Sequence, residues 1–352
     1  MKNNPFNLTF GKEPPHMISR YAQSNEIVET FMSKTPSQQI YMVSGVRGSG
    51  KTVFMTTIVK TLSSSEDWIV IELNSAGDLL KEFASKLYHA KGQKASFHAA
   101  GINLSFLGLG LNIEKTEPIM DLEIAIEQMM DCIKKEKKRV LITIDEVSNS
   151  KEMRYFAGAF QILIRHDYPL FLLMTGLYEN INKLQNEDNL TFLYRAPKMV
   201  LNALNLYRMA DSYENLLHIS KEKAIHMARN TKGYSFAFQL FGYFTYNNQG
   251  HYEEALPDIR QYLDEYVYDK IWIELTAKEI ELLSAMAELN ITDAKTIKKS
   301  LQMKPNQFSV YRDRLIKKGI LSGNKRGFLE YTLPFFNDYI KEHSFSTTED
   351  LG

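Results

Sequence analysis

The residues Gly45-Val46-Arg47-Gly48-Ser49-Gly50-Lys51-Thr52 have the types and the spacing of a phosphate-binding loop. They match the pattern G-x-x-x-x-G-K-[ST], after an apolar run at residues 40–44 and before a predicted helix. The three glycines let the backbone turn tightly and bring its N–H groups against phosphate oxygens. Lys51 would place a positive charge at the β- and γ-phosphates of a nucleotide, and the Thr52 hydroxyl would ligate Mg²⁺. An unrelated glycine-rich loop with a stray lysine is the weaker alternative, because the strand and helix on either side also fit.

Two carboxylates lie about 95 residues further along, a spacing that is usual for these folds. Asp145 and Glu146 directly follow the apolar run Val140-Leu141-Ile142-Thr143-Ile144. Asp145 would hold Mg²⁺ through water, because this ion keeps much of its hydration. Glu146 would orient and deprotonate an attacking water. An apolar strand that ends in Asp-Glu is a weak signal alone, but together with the loop it predicts ATP and Mg²⁺ as cofactors.

Short apolar runs alternate with helical stretches in the first part of the chain. The runs are residues 40–44, 68–73, 139–144, 170–175 and 198–201, and helices are predicted at 78–88 and 121–137. Runs that are apolar on both faces are typical of buried parallel strands. The pattern therefore predicts an α/β core with a mostly parallel sheet. Alternating apolar residues predict a β-hairpin inserted at about residues 101–114.

The strand signals stop after residue 202, and an aromatic-rich helical segment follows. The sequence predicts an ATPase core at residues 1–202, a helical lid at 203–272, a third domain at 273–343 and a loose tail at 344–352. In the third domain we predict helices at 276–288, 293–301 and 305–318, then a hairpin with a basic tip at 323–327.

Composition and charge exclude several classes of protein. The formal net charge is zero, so attraction to nucleic acid would have to come from a local basic patch. A single cysteine, Cys132, excludes an internal disulfide framework and favours a reducing compartment. The N-terminal residues do not have the pattern of a signal peptide, and no long apolar run predicts a membrane span. The sequence predicts a soluble, cytoplasmic protein with no membrane partner.

These motifs resemble the AAA+ ATPases, and more narrowly the origin-recognition-like and STAND-related group of bacteria and archaea with a C-terminal winged helix. The resemblance rests on the loop at 44–52, with an arginine before its middle glycine, and on Asn4-Pro5-Phe6 and Ile18-Ser19-Arg20 upstream. It implies the fold class: an α/β P-loop NTPase core with a parallel sheet, an all-α lid and a winged-helix domain. It also implies that Ile18 and Arg20 lie at the adenine, and that Val53 adjoins the bound nucleotide.

The same resemblance implies two further site residues and one departure. Thr175, in Leu172-Leu173-Met174-Thr175-Gly176, matches the sensor-1 position between the acids and the γ-phosphate. Arg195 lies where family members place an arginine finger, which would complete the site of a neighbour in a homo-oligomer; a plain surface arginine is the equal alternative. The lid stretch at 232–239 contains no arginine, where the family commonly has a sensor-2 arginine. A slow switch is therefore expected.

The third domain resembles a winged helix and leaves two partners open. Residues 276–343 carry 12 Lys and Arg against 8 Asp and Glu, a net charge of +4. Phosphate contacts are expected from nine basic residues: Lys298, Lys299, Lys304, Arg312, Arg314, Lys317, Lys318, Lys325 and Arg326. Base-edge contacts are expected from Asn306, Gln307 and Ser309. The leading hypothesis is a nucleotide-dependent switch that acts on duplex DNA. The alternatives are a signalling or defence ATPase whose winged helix docks a protein effector, and a nucleotide-binding scaffold with negligible turnover.

Overall fold

The computed structural model describes residues 4–9, 13–102, 104 and 121–349. The chain divides into two compact units. The sheet unit consists of Tyr21–Ser44 and Lys51–Val200, and the C-terminal unit of Met1–Arg20, Gly45–Gly50 and Leu201–Gly352. The β-hairpin predicted at about 101–114 lies almost entirely outside the described residues.

Five parallel strands form the centre of the sheet unit, in the order β2-β3-β4-β1-β5. They are β1 (Ile40–Ser44), β2 (Trp68–Leu73), β3 (Arg139–Ile144), β4 (Leu170–Gly176) and β5 (Lys198–Val200). Every residue of β1 and β4 is buried, which explains why both strands read as unbroken apolar runs. The predicted parallel α/β sheet is confirmed, with ends that differ by one residue in β4 and β5.

Helices flank the strands of the sheet unit. They are α1 (Tyr21–Met32), α2 (Lys51–Ser63), α3 (Leu79–Tyr88), α4 (Lys94–Ala99), α5 (Leu122–Lys135), α6 (Lys151–Arg165), α7 (Tyr178–Gln185) and α8 (Thr191–Tyr194). Asp78, Asp121 and Ser150 cap α3, α5 and α6 by accepting main-chain N–H bonds. Apolar side chains from α3 to α8 and from β1 to β4 pack into one buried core.

The described C-terminal unit is mainly helical. Its elements are α9 (Leu206–Leu217), α10 (Lys221–Asn230), α11 (Ser235–Asn247), α12 (Tyr252–Leu263), a π-helical turn (Asp264–Tyr268), α13 (Asp269–Ile273), α14 (Ala277–Leu289), α15 (Ala294–Ser300), α16 (Pro305–Lys318), β6 (Leu321–Ser322), β7 (Glu330–Tyr331) and α17 (Phe336–Glu349). The N-terminal segment belongs to this unit because Phe6 is buried between Tyr213 and Phe238. A Cβ atom on Gly242 would lie 2.3 Å from the Phe6 ring, so glycine makes room for it.

The last three helices before the hairpin begin and end within one residue of the predicted bounds. Thr276 and Glu279 form a capping box at the start of α14, and Asp293 caps α15. Gly319 ends α16 in the left-handed conformation. β6 and β7 pair antiparallel, and a bridge between Asp293 and Phe328 adds a third segment beside them. The backbone of α17 continues to Glu349, whereas the sequence predicts a loose tail from residue 344.

None of the helices in the described ranges has the length and apolarity that a membrane span requires.

Candidate functional site

Two threonines and one aspartate of the sheet unit converge in a connected hydrogen-bond group. The hydroxyl of Thr52 donates to Oδ2 of Asp145 at 2.6 Å. The hydroxyl of Thr175 donates to Oδ1 of the same carboxylate. Thr175 is fully buried, whereas Thr52 and Asp145 are half-buried. Three residues predicted as site residues from distant parts of the sequence are thus in direct contact, and we call them the acid–threonine centre.

The sheet explains why these side chains meet. β3 and β4 are neighbours in register, with Ile144 opposite Met174, so Asp145 and Thr175 follow at the same edge. β1 pairs with the other side of β4, with Val43 opposite Thr175. Carboxyl ends of parallel strands form the edge where ligands bind in open α/β sheets. Thr52 reaches that edge from the first turn of α2.

The chain turns sharply at Glu146. This residue has a left-handed backbone with φ of 53° and is exposed, and its N–H donates to Oδ1 of Asp145 at 3.0 Å. Val147 then bonds back to the Thr175 carbonyl at 2.9 Å. A Cβ on Gly176 would lie 3.1 Å from the Val147 side chain, so the glycine after Thr175 permits this close return. The turn presents the Glu146 carboxylate to solvent directly beside Asp145.

The donor set of the acid–threonine centre fits Mg²⁺ only with outside ligands. Mg²⁺ prefers oxygen ligands, keeps several waters and is commonly bound by one or two carboxylates plus phosphates. Asp145 and Thr52 supply a carboxylate and a hydroxyl within 2.6 Å of each other. Across residues 4–9, 13–102, 104 and 121–349 there is no cluster of three or more His, Cys, Asp or Glu side chains that could hold a metal. The remaining ligands would have to be phosphate oxygens and water.

The loop Gly45–Gly50 is held within the C-terminal unit by the start of α11. The buried Tyr234 hydroxyl donates to the main-chain carbonyl of Arg47 at 2.6 Å, and burial raises the pKa of this tyrosine far above its usual value. The N–H of Phe236 donates to the Gly48 carbonyl at 3.1 Å. Gly48 has φ of 69°, and a Cβ there would lie 2.1 Å from the Tyr234 oxygen. Only glycine fits this position.

Two other side chains of the loop differ in their surroundings. Arg47 forms an ion pair with Glu274, to which its Nε donates at 2.9 Å. Ser49 is buried, and its hydroxyl oxygen has no hydrogen-bond partner in the described part of the chain. A Cβ on Gly45 would lie 2.5 Å from that oxygen, so a side chain at position 45 would collide with it. The sequence predicts the loop itself but not its partners Tyr234 and Glu274, because neither belongs to a recognisable motif.

The remaining predicted site residues are dispersed. Ile18 and Val46 pack as half-buried side chains against the core of the C-terminal unit. Lys51 and Val53 lie half-buried in the first turn of α2. Arg195 is exposed directly after α8.

Arg20 is anchored at a main-chain carbonyl. Its Nε and Nη2 both donate to the carbonyl of Asn202 at 3.1 Å. A Cβ on Gly50 would lie 3.5 Å from Nη1 of Arg20, which brings the guanidinium to the end of the loop.

Some basic side chains in the range 276–343 contact a buried carboxylate, and others are exposed. Lys318 binds the fully buried carboxylate of Glu279 at 2.9 Å, and Arg314 approaches the same carboxylate at 3.9 Å. The Lys318 side chain is therefore directed into the interior of the C-terminal unit, whereas the Arg314 side chain remains partly exposed. Exposed positions are held by Lys299, Lys304, Lys317, Lys325 and Arg326.

Family models match two parts of the chain. Residues 23–174 match a family described as an ATPase domain predominantly from Archaea. Residues 265–340 match a domain of unknown function (DUF8462). No curated protein matches the chain.

Solved structures resemble the chain over nearly its whole length. The Walker-type ATPase PABY2304 of Pyrococcus abyssi is 13% identical, with a TM-score of 0.63 over 92% of this chain and 96% of that chain. The ORC2 protein of Aeropyrum pernix, solved as ADPNP and ADP complexes, is 13% identical, with a TM-score of 0.59 over 95% of each chain. At this identity the likeness shows the fold, which is that of a P-loop ATPase with a helical C-terminal region.

Proposed function

We propose that this chain binds ATP with Mg²⁺ and hydrolyses it slowly, as a nucleotide-dependent switch that acts on DNA. The observation that carries the proposal is the acid–threonine centre, in which Thr52 and Thr175 both bond to Asp145. Thr52 directly follows Lys51 and the loop Gly45–Gly50 in the chain. A phosphate-binding loop that is followed in the chain by a hydroxyl bonded to a carboxylate suits a nucleoside triphosphate with a divalent cation.

Each residue of the site has a defined part in this proposal. The N–H groups of the loop and the ammonium of Lys51 bind the phosphates. Bound Mg²⁺, held by Thr52 and Asp145, would neutralise charge on the phosphate oxygens. Thr175 holds the Asp145 carboxylate in place through its hydrogen bond. Glu146, exposed beside Asp145, accepts the proton of the attacking water.

Loss of ATP binding in Lys51→Ala tests the assignment of the loop. Removing the ammonium deletes a charge-assisted bond, so ATP affinity should fall roughly 10- to 100-fold. Isothermal titration calorimetry with ATP and Mg²⁺ measures the change. Lys60→Ala, in the last turn of the same helix, is the matched control and should bind like the wild type. Equal affinity in wild type and Lys51→Ala would reject the loop as the phosphate site.

Arg195 is proposed as a residue that acts on the site of a second copy. Its exposure after α8 makes it accessible to a neighbour. If it neutralises transition-state charge in trans, ATP turnover per molecule should rise with protein concentration, and Arg195→Ala should abolish that rise. Phosphate-release assays over a range of protein concentrations measure it. If the specific activity of the wild type does not change with protein concentration, Arg195 does not act on the site of a second copy.

DNA is proposed as the partner of residues 276–343, which we interpret as a winged helix. Support comes from α14–α16, from the β6–β7 hairpin joined by the Asp293–Phe328 bridge, and from the exposed Lys325 and Arg326 at its tip. The pairing of Lys318 and Arg314 with Glu279 favours the second candidate, a protein-docking module, because it leaves fewer cations for phosphates. The salt dependence of DNA binding distinguishes the two.

A further inference from the structure

The start of α11 lies against the phosphate loop but brings no cation of its own. The N–H of Phe236 bonds to the Gly48 carbonyl at 3.1 Å, so the first turn of this helix contacts the loop within the C-terminal unit. Residues 234–239 are Tyr, Ser, Phe, Ala, Phe and Gln, without a basic side chain. A triphosphate bound at the loop would therefore receive no positive charge from this turn of α11 in addition to that of Lys51.

Arg20 and Ser235 converge on Gly50, the last residue of the loop. A Cβ atom on Gly50 would lie 3.1 Å from the Ser235 hydroxyl oxygen and 3.5 Å from Nη1 of Arg20. Gly50 has φ of 88°, so both the backbone and the neighbouring side chains require glycine here. A hydroxyl and a guanidinium thus flank the residue that precedes Lys51.

The Arg20 side chain is held in a defined orientation. Two of its nitrogens, Nε and Nη2, share the Asn202 carbonyl at 3.1 Å, and Nη1 is its nitrogen nearest to Gly50. Burial lowers the pKa of the guanidinium to about 10, so it remains charged at neutral pH. A fixed, charged guanidinium is well suited to phosphate oxygens, which it can bind through parallel N–H bonds.

We propose that Arg20 and Ser235 bind the terminal phosphate of the nucleotide and so supply, from the N-terminal segment, the cation that the lid helix lacks. This inference rests on the proposed function. The terminal phosphate is the expected contact because Lys51, the next residue after Gly50, is the one that reaches the β- and γ-phosphates in such loops. The N–H groups of the loop would bind the inner phosphates.

The competing explanation is that Arg20 only clamps the Asn202 carbonyl. If Arg20 only holds the Asn202 carbonyl, its replacement should weaken ATP binding and ADP binding equally, because the loss of that hydrogen bond does not depend on the ligand. A terminal-phosphate contact would affect ATP much more than ADP, which lacks that group. The ratio of the two dissociation constants therefore separates the explanations.

Calorimetric titrations with Mg²⁺-ATP and Mg²⁺-ADP test the proposal on wild type, Arg20→Gln, Ser235→Ala and the control Arg208→Gln, an exposed arginine on α9. Arg20→Gln should weaken ATP binding at least about tenfold and ADP binding less than threefold, since a bond to a charged group is lost. Ser235→Ala should weaken ATP at least about threefold and leave ADP unchanged. Arg208→Gln should match the wild type.

An equal loss for ATP and ADP in both variants would overturn the proposal. Should Arg20→Gln not fold, as judged by circular dichroism, the ATP-to-ADP ratio of Ser235→Ala decides alone. Failure of the proposed function is seen separately. If the wild type does not bind ATP, that function fails; if it binds ATP through Lys51 while Arg20→Gln and Ser235→Ala keep the wild-type ratio, only this inference fails.

Discussion

The acid–threonine centre of the sheet unit and the basic surface of residues 276–343 show two ways of arranging polar side chains. In the first, Thr52 and Thr175 both donate a hydrogen bond to Asp145, although the three residues lie far apart in sequence. In the second, cations that are close in sequence separate: Lys318 turns inward to a buried carboxylate, while Lys317 remains exposed.

This difference shows how much about a ligand can be inferred from side chains that contact one another, and how much from net charge alone. A carboxylate and two hydroxyls at the edge of a parallel sheet define a small set of ligands, because their positions are fixed by strand register. A net charge of +4 defines a partner poorly, because a cation bound to Glu279 counts in the total but is not available to phosphates. The chemistry of the centre is therefore more sharply specified than the partner of the basic surface.

Glu146→Gln should have the largest effect and would test the centre directly. The substitution removes the proton acceptor but keeps the size of the side chain and leaves Asp145 in place. Hydrolysis should fall about 100-fold or more, while ATP affinity stays near the wild-type value. Steady-state phosphate release measures the first quantity and calorimetry the second.

Glu152→Gln, an exposed acid in the first turn of α6, is the control and should retain full activity. If the wild type shows no measurable turnover at any protein concentration, the catalytic role proposed for Glu146 is wrong. The chain would then be interpreted as a nucleotide-binding scaffold, and the centre as a binding site only.

The sequence predicts the sheet unit well because its signals are local and strong. β1, β3 and β4 are short apolar runs that are almost wholly buried, and buried strands need apolar residues on both faces. The family resemblance implies that Thr175 lies near Asp145, and the structure explains this placement because β3 and β4 are neighbours whose carboxyl ends share one edge.

The contacts around the loop Gly45–Gly50 could not be predicted in the same way. Tyr234, Phe236 and Glu274 contact it from positions about 190 to 230 residues further along the chain, within the same C-terminal unit. Such contacts depend on tertiary packing, which leaves no periodic signal in one sequence. The inward orientation of the Lys318 side chain could not be predicted for the same reason, because one sequence does not distinguish a buried lysine from an exposed one.

Lys318→Ala should have the next largest effect, on stability. Its ammonium compensates the fully buried Glu279 carboxylate, so its removal leaves a buried charge poorly paired. Losing one partner of such a pair costs about 3–5 kcal/mol of unfolding free energy. The adjacent, exposed Lys317→Ala should change it by no more than about 0.5 kcal/mol.

Chemical denaturation of both variants, followed by circular dichroism, measures the difference between them. Equal stability of Lys317→Ala and Lys318→Ala would mean that the two lysines are equivalent. The division of the basic residues into an interior and an exposed group would then be wrong.

The smallest expected effect concerns the hairpin tip, where Lys325 and Arg326 are exposed and Lys325 lies 4.3 Å from the centre of the Phe328 ring. Cations that contact DNA phosphates release counterions, so the logarithm of DNA affinity should fall linearly with the logarithm of salt concentration. Replacing both residues by alanine should reduce this slope by roughly one to two units, about one per lost contact. Fluorescence anisotropy with a duplex at several salt concentrations measures this slope, and Lys278→Ala, whose lysine is paired with Glu281 on α14, is the control.

No binding by the wild type at low salt, or an unchanged slope in the double variant, would exclude the tip as a DNA contact. The exposed Val310 on α16 would then favour docking of a protein, because an apolar side chain adds nothing to phosphate binding.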